Sequence, residues 1–501
     1  MTLSIASRVA SALLAALPAS LLHAQTPAPT MVDPALTVDT VVAGLSQPIG
    51  MVFLGADDFL VTEKSSGQVK RVQNGVVTGV VLDLAVNSNS ERGLLGIEKH
   101  PRFPVDPSIY IYWTESSTGA DSISVSQVPL LGNRVDRFVW DGSTLTYAQT
   151  LNRTRTFQED LNLITDPANP TSNPAPFQRG NHNGGIVRFG PDGKLYVISG
   201  DAGRRGLMQN VNNGPVADDQ FGGPLPDDAH ATGQIIRLNA DGTVPGDNPF
   251  FRYGALLAAS ATTPEQTQAA RNIQKMFAIG VRNSIGMVFD PVRGGLWTAE
   301  NGGRAYDEIN YVEAGFNGGW VQVMGPIARV ADYKAIEVAA GFGTAGPAGL
   351  QQLRFLPSSL ADDPIAAKNR MTRFKGSNYR DPQFSWRNVV PPGGLGFIRG
   401  NGLGAQYSGN LIVGSAVAQT ANRGHLYRFR LNGGRNHLQF TDPALFDKVA
   451  DNLARNDFTT EQAELMWGMN FGVVTDIHTG PDGNLWLVGT SSGTVRKIRP
   501  L

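Results

Sequence analysis

Residues 184–201 read "GGIVRFGPDGKLYVISGD". An apolar run, a turn of Pro, Asp and Gly, and a second apolar run make a β-hairpin. The same grammar recurs in "PIGMVFLGADDFLVTE" (48–63), "LLGIEKHPRFPVDPSIYIYWTE" (94–115), "SIGMVFDPVRGGLWTAEN" (284–301), "GGLGFIRGNGLGAQYSGNLIVG" (393–414) and "VTDIHTGPDGNLWLVGT" (474–490). A propeller blade has four strands, so each hairpin supplies an inner pair and the interval after it supplies the outer pair plus insertions. Six copies predict an all-β chain, a six-bladed β-propeller with short helical insertions. The first strand candidate, "LTVDTVVAGL" (36–45), and the last, "GTVRKIRPL", are expected to pair and close the ring, which removes exposed strand edges. Thr-Pro and Asp-Pro start signals predict helices in "TPEQTQAARNIQKMFAI" (263–279) and "DPALFDKVADNLARN" (442–456).

Composition narrows the rest. The chain has 501 residues and a formal charge of -1, which gives no electrostatic case for nucleic acid or an anionic membrane as partner. It has no cysteine, so disulfides, thiolate catalysis and Cys-based zinc sites are excluded. Residues 1–24 combine Arg8, an apolar run and a small residue at Ala24, the pattern of a cleavable signal peptide. A short membrane anchor is the other reading, but the run is shorter than the roughly 20 residues a span needs. No other segment could cross a bilayer. We therefore expect a signal peptide at 1–24, a Pro-rich linker at 25–35, a propeller at 36–501 and a periplasmic or secreted location.

Aligning the hairpins on their first strands puts His182 opposite Ser46, Arg92, Arg282 and Gly472, and residue 183 opposite Gln47, Gly93 and Asn283. A core position would be apolar in every copy, whereas these are mostly polar. Four second strands end on an acid: Glu63, Glu115, Asp201 and Glu300. Antiparallel pairing brings those ends back beside the first-strand starts, so all should ring one mouth of a central channel, where propellers place sites. There His182 is expected to meet Arg282, whose guanidinium would keep the imidazole neutral and able to take a proton. The glycines after it would let a flat ligand approach the backbone. A histidine that merely caps a turn remains the alternative on the residues alone. The other histidines, 23, 100, 230, 425, 437 and 478, read as structural, with His478 facing the channel lower down. In "AENGGRAYDEIN" (299–310), carboxylates and paired glycines offer the oxygen donors of a calcium site, or else a solvated turn.

The segments "ERGLLGIEKHPRF", "HNGGIVRFGPDGKLYVISGD", "GQIIRLNADGTVPGDNPFF", "GVRNSIGMVFDP", "ENGGRAYDEIN" and "GPDGNLWLV" run in order along nearly the whole chain after the leader. Together they resemble the soluble glucose/sorbosone dehydrogenases that use pyrroloquinoline quinone (PQQ). The resemblance implies an exported enzyme that oxidises the anomeric carbon of an aldose to a lactone. Hydride would go to the quinone, and electrons onward to an external acceptor. It makes His182 the base. Glu91, Arg282, Asn283, Asn301 and Arg423 would be cofactor-binding, and Gly302, Gly303 and Asp307 would form the calcium loop. The chain also departs from the family. Glu91 stands where the family has glutamine, and Arg92 follows it. Asn422, Val473 and Thr475 stand where well-known members place the cations that hold the cofactor's carboxylates. Burying carboxylates without cations is costly. Two further readings therefore stay open: a carbohydrate- or protein-binding propeller that has lost its cofactor, and a calcium-dependent lactonase-type hydrolase using Glu91, Asp201 and Glu300.

Overall fold

The computed structural model describes residues 27–156, 181–202, 204–205, 232–339, 352–353, 358, 360–371, 373–415, 424–451 and 463–501. The fold is an all-β propeller with few helices. Two of its sheets are simple four-stranded meanders: Pro48–Gly55, Asp58–Glu63, Gln68–Gln73 and Val76–Asp83, then Leu94–Lys99, Ser108–Thr114, Asn133–Trp140 and Leu145–Thr154. Three more begin with Val187–Phe189, Ser284–Phe289 and Pro392–Phe397, and each gains extra short strands at its outer edge. The last runs Val474–Thr479, Leu485–Gly489 and Thr494–Pro500, and takes Leu36–Val42 as its outer strand. That pairing joins the two ends of the described chain, Leu36 opposite Pro500 and Val42 opposite Val495, as the sequence led us to expect.

Hydrophobic clusters lie between neighbouring sheets. Val52 and Leu60 of the first pack with Ile97 and Ile111 of the second. Leu95 and Tyr112 of the second pack with Val187 and Val197 of the third. The series continues through Met287 against Ile198, Trp297 against Leu395, and Ile412 and Leu426 against Leu485 and Leu487, to Trp486 and Val488 against Met51 and Phe59. Glycine recurs in four of the inner strands, as Gly50, Gly96, Gly286 and Gly396, and has a geometric cause. A Cβ on Gly96 would sit 2.0 Å from the Gly185 carbonyl oxygen, and one on Gly286 would sit 2.3 Å from that of Gly393. Inner strands converge toward the axis, so backbone meets backbone there.

The helices differ from expectation. Pro264–Lys275 is a helix capped by the Thr263 hydroxyl, which accepts from the Gln266 N–H at 3.2 Å. Its predicted tail, Met276–Ile279, is instead the outer strand that pairs with Gln234–Leu238, because tertiary pairing overrides the helical pattern. The stretch after Asp442 makes only a short 3-10 turn at Pro443–Leu445 and then the strand Val449–Ala450; residues 452–460 lie outside the described residues. Helices Phe251–Ser260, Val330–Ala339 and Pro364–Arg370 were not foreseen. The leader at 1–24 lies outside the described residues. Within the expected linker, Thr30–Met31 is already a strand, paired with Met469 and Gly468.

Candidate active site

The residues that begin the inner strands gather on one face of the ring. His182 is 4 % exposed and adopts a left-handed φ of 55°, a conformation histidine tolerates better than most side chains. Its backbone N–H donates to Glu91 Oε2 at 2.7 Å, and the same oxygen accepts from Asn283 Nδ2 at 3.1 Å. Asn181 Nδ2 approaches Glu91 Oε1 at 3.5 Å. Glu91 thus ties together segments of the second, third and fourth sheets.

The ring of His182 is held by Asp201, with Nδ1 2.6 Å from Oδ1. A carboxylate accepts, so Nδ1 carries the proton and donates it, leaving Nε2 with its lone pair. Asp201 is itself fixed: Oδ2 accepts from Trp320 Nε1 at 2.9 Å, and its N–H donates to the Arg282 carbonyl at 2.8 Å. The second-strand acids therefore do different jobs at equivalent positions. Glu63 accepts the Ser46 N–H and Glu300 accepts the Arg282 N–H, each closing its own hairpin. Asp201 instead grips an imidazole. Burial pushes the Glu300 carboxyl up to about 8, with the Arg282 N–H bond and charge opposing that shift.

One expectation is extended and another needs correction. The residue gripping His182 Nδ1 is Asp201, whereas the Arg282 guanidinium lies 5.4 Å over the Trp320 ring and donates from Nη1 to the Asn301 carbonyl at 2.7 Å. The glycines after His182 make room for the protein, not a ligand. A Cβ on Gly184 would lie 2.5 Å from the Ile198 carbonyl oxygen, and one on Gly185 would lie 2.5 Å from Leu95 Cβ. Sequence reasoning also missed Trp320 and Glu337. Both lie in the long excursion from the fourth sheet, which has no counterpart in the other copies to flag them.

The glycine loop is tightly built. Asp307 Oδ1 accepts the Gly302 N–H at 2.7 Å and Oδ2 accepts the Val390 N–H, so this carboxylate braces the loop. A Cβ on Gly302 would fall 2.1 Å from the Ala305 carbonyl oxygen. Glu337, buried on the helix Val330–Ala339, accepts the Arg304 N–H at 2.9 Å. Among the described residues, no group of three or more His, Cys, Asp or Glu could hold a metal. A cation here would depend on backbone carbonyls of this loop, and the side-chain carboxylate centre that a hydrolase needs is not found among those residues.

The unpaired buried atoms show what could bind. Asn181, Asn183, Asn283 and Asn301 each leave Oδ1 without a partner. In each case Nδ2 points at a carboxylate or carbonyl, which can only accept, so the free atom is the oxygen. Such a rim suits hydroxyl donors and a hard cation. His182, Arg282 and Asn283, which the resemblance assigns to the quinone's reacting end, lie together on this rim. The carboxylate end does not fit the expected positions. Thr475 Oγ1 is spent on the Ile49 carbonyl at 2.8 Å, and Val473 has no polar side chain. Arg92 is fully buried and donates to the Thr156 carbonyl at 3.0 Å, while burial lowers its pKa to about 10. Asn422 and Arg423 lie outside the described residues.

The chain belongs to the glucose/sorbosone dehydrogenase family, whose sequence model matches residues 45–335. It is similar to quinoprotein glucose dehydrogenase B of Acinetobacter calcoaceticus, with 24% identity over 490 residues covering 91% of this chain and 86% of that protein. Its fold matches the apo form of the soluble aldose sugar dehydrogenase of Escherichia coli, with TM-score 0.56, 20% identity and coverage of 93% of this chain and 100% of that one. It also matches the PQQ-bound aldose sugar dehydrogenase of Streptomyces coelicolor, with TM-score 0.51, 20% identity and coverage of 93% and 99%.

Proposed function

We propose that this protein is an exported, PQQ- and calcium-dependent oxidoreductase built on a six-bladed ring. It would oxidise the anomeric carbon of aldose sugars to lactones and pass electrons to an external acceptor. The observation that carries the reading is the His182–Asp201 pair, because it fixes one tautomer and aims a basic nitrogen away from the carboxylate. PQQ held there would supply a two-electron hydride acceptor for the sugar's anomeric carbon. His182 Nε2 takes the proton from the anomeric hydroxyl, and Asp201 steadies the imidazolium that results. Trp320 keeps Asp201 from turning away. Arg282 and Asn283 would hold the quinone oxygens, with Asn301 beside them. The carbonyls of Gly302 and Gly303 would hold the cation, with Asp307 bracing their loop. The unpaired amide oxygens receive sugar hydroxyls. Export rests on the leader at 1–24; no helix among the described residues is long and apolar enough to cross a membrane.

The test is reconstitution of purified apoprotein with PQQ and calcium, followed by dye reduction with a panel of aldoses. Turnover that His182→Ala abolishes supports the reading. Saturable sugar binding with no turnover would favour the cofactor-less binding propeller, for which the neutral Val473 and Thr475 argue.

A further inference from the structure

Val473 and Thr475 carry no charge, yet a cleft that holds a lysine opens one sheet away. Thr475 Oγ1 donates to the Ile49 carbonyl and Thr490 Oγ1 donates to the Pro48 carbonyl at 2.5 Å, so the last sheet abuts the start of the first. Immediately before that start lies Gln47, whose carbonyl accepts the Lys64 N–H at 3.0 Å. Gln47, Lys64, Ser65, Ser88 and Ser90 line a cleft of about 440 Å³ with Asp121, Ser122 and Ile123. Its lysine and its serine hydroxyls can donate, whereas the unpaired rim atoms described above are amide oxygens, which only accept. Lys64 Nζ donates to the Ser88 carbonyl at 3.1 Å, and among the described residues no carboxylate lies within ion-pairing distance of it. Burial lowers its ammonium to about 8; Glu91 opposes that shift and the Arg92 charge adds to it. Asp121, the acid in the cleft wall, has Oδ1 occupied by the Val86 N–H at 3.0 Å. Ser90, at φ 55°, directly precedes Glu91.

We propose that this cleft holds a carboxylate of the organic anion bound at the rim, with Lys64 as the cation that Val473 and Thr475 do not supply. The assignment rests on the proposed function insofar as that anion is PQQ; anion capture by Lys64 itself does not. The experiment is titration calorimetry of the apoprotein with two probes: PQQ in calcium buffer, and propane-1,2,3-tricarboxylate, which has no quinone, in calcium-free buffer. Wild type, Lys64→Gln, Lys64→Arg and Ser90→Asp are compared after thermal melts confirm folding. Ser90→Asp places a negative charge in the cleft without touching Lys64, and aspartate tolerates a left-handed backbone. We expect PQQ to bind about tenfold more weakly to Lys64→Gln and to Ser90→Asp, and within about threefold of wild type to Lys64→Arg, since one tenfold step is the modest weight of a partly solvated ion pair. If PQQ binds all four alike, the cleft assignment is wrong and the enzyme reading survives. If PQQ does not bind but the tricarboxylate does, in a Lys64-dependent way, the enzyme reading falls and the anion cleft stands. If neither probe binds, both are overturned.

Discussion

Two polar regions lie along the inner strands, and they are built on opposite principles. Deeper in the ring, Asp476 takes Arg188 Nη2 at 2.5 Å on one oxygen, and His478 Nε2 at 2.8 Å and the Met51 N–H at 3.0 Å on the other. Glu98 stands 4.0 Å from Arg188. Four sheets contribute to this cluster, and none of its side-chain atoms is left buried without a partner. At the rim, four asparagine oxygens are unpaired, and Gln47, Ser90, His182 and Ala202 all have positive φ. Native proteins satisfy buried polar groups unless something else is meant to meet them, and backbone strain collects where a site needs it. Charge alone is therefore a poor guide to function here. Unmet hydrogen bonds and strained backbone mark the working region, while the ion-rich cluster fastens the ring.

The largest effect should separate the two histidines. His182→Ala is expected to lower sugar-dependent dye reduction per folded molecule by about 10²- to 10⁴-fold, the usual weight of a general base. His478→Ala should leave turnover near wild type. The reverse result would interchange the roles of the two regions. Next in size, Asp476→Ala strips a buried guanidinium of its partner and should cost about 3–5 kcal/mol of folding free energy in urea titrations, because an uncompensated charge stays behind. Residual activity per folded molecule should not fall in proportion.

The hairpins were legible because the signal is local: alternation of period two and turn chemistry, repeated in each copy. Residue equivalence across copies also picked out His182, whose counterparts include Ser46, Arg92 and Arg282, and placed Asp201 among the acids that end second strands. Their bond was not read, since nothing in a strand-ending acid says whether it caps its own hairpin, as Glu63 does, or reaches for a ring. Trp320 lies 119 residues from the Asp201 it fixes. Glu337 sits on an unforeseen helix. Both positions are set by how an insertion folds back onto the ring, and periodicity carries no information about that. The glycine pair shows the converse error. Gly184 and Gly185 look like space for a ligand in sequence and prove to be space for neighbouring strands.

A smaller effect tests the fastening role through pH. Burial tends to raise Asp476, but His478 and Arg188 outweigh it and hold the carboxyl at about 2. The unfolded value is about 3.9, so folding gains about 3 kcal/mol above that pH and loses it as pH falls toward 2. Asp476→Asn should flatten this part of the stability curve, measured by urea unfolding between pH 2 and 5. An unchanged slope would mean the ion pair contributes no net stability.

The smallest effect probes the rim. Lys64 is lowered to about 8 chiefly by burial, with Glu91 opposing. An anion in the cleft favours the ammonium form, so binding and protonation are linked: affinity should be steady below pH 8 and fall above it. Between pH 7 and 9 the loss should be about fivefold for one pKa unit of linkage. Lys64→Gln should bind the tricarboxylate weakly and without that slope. Lys64→Arg should bind well and also without it, because a guanidinium stays charged throughout the range. A slope that persists in Lys64→Arg would trace the titration to another group and move the anion out of this cleft.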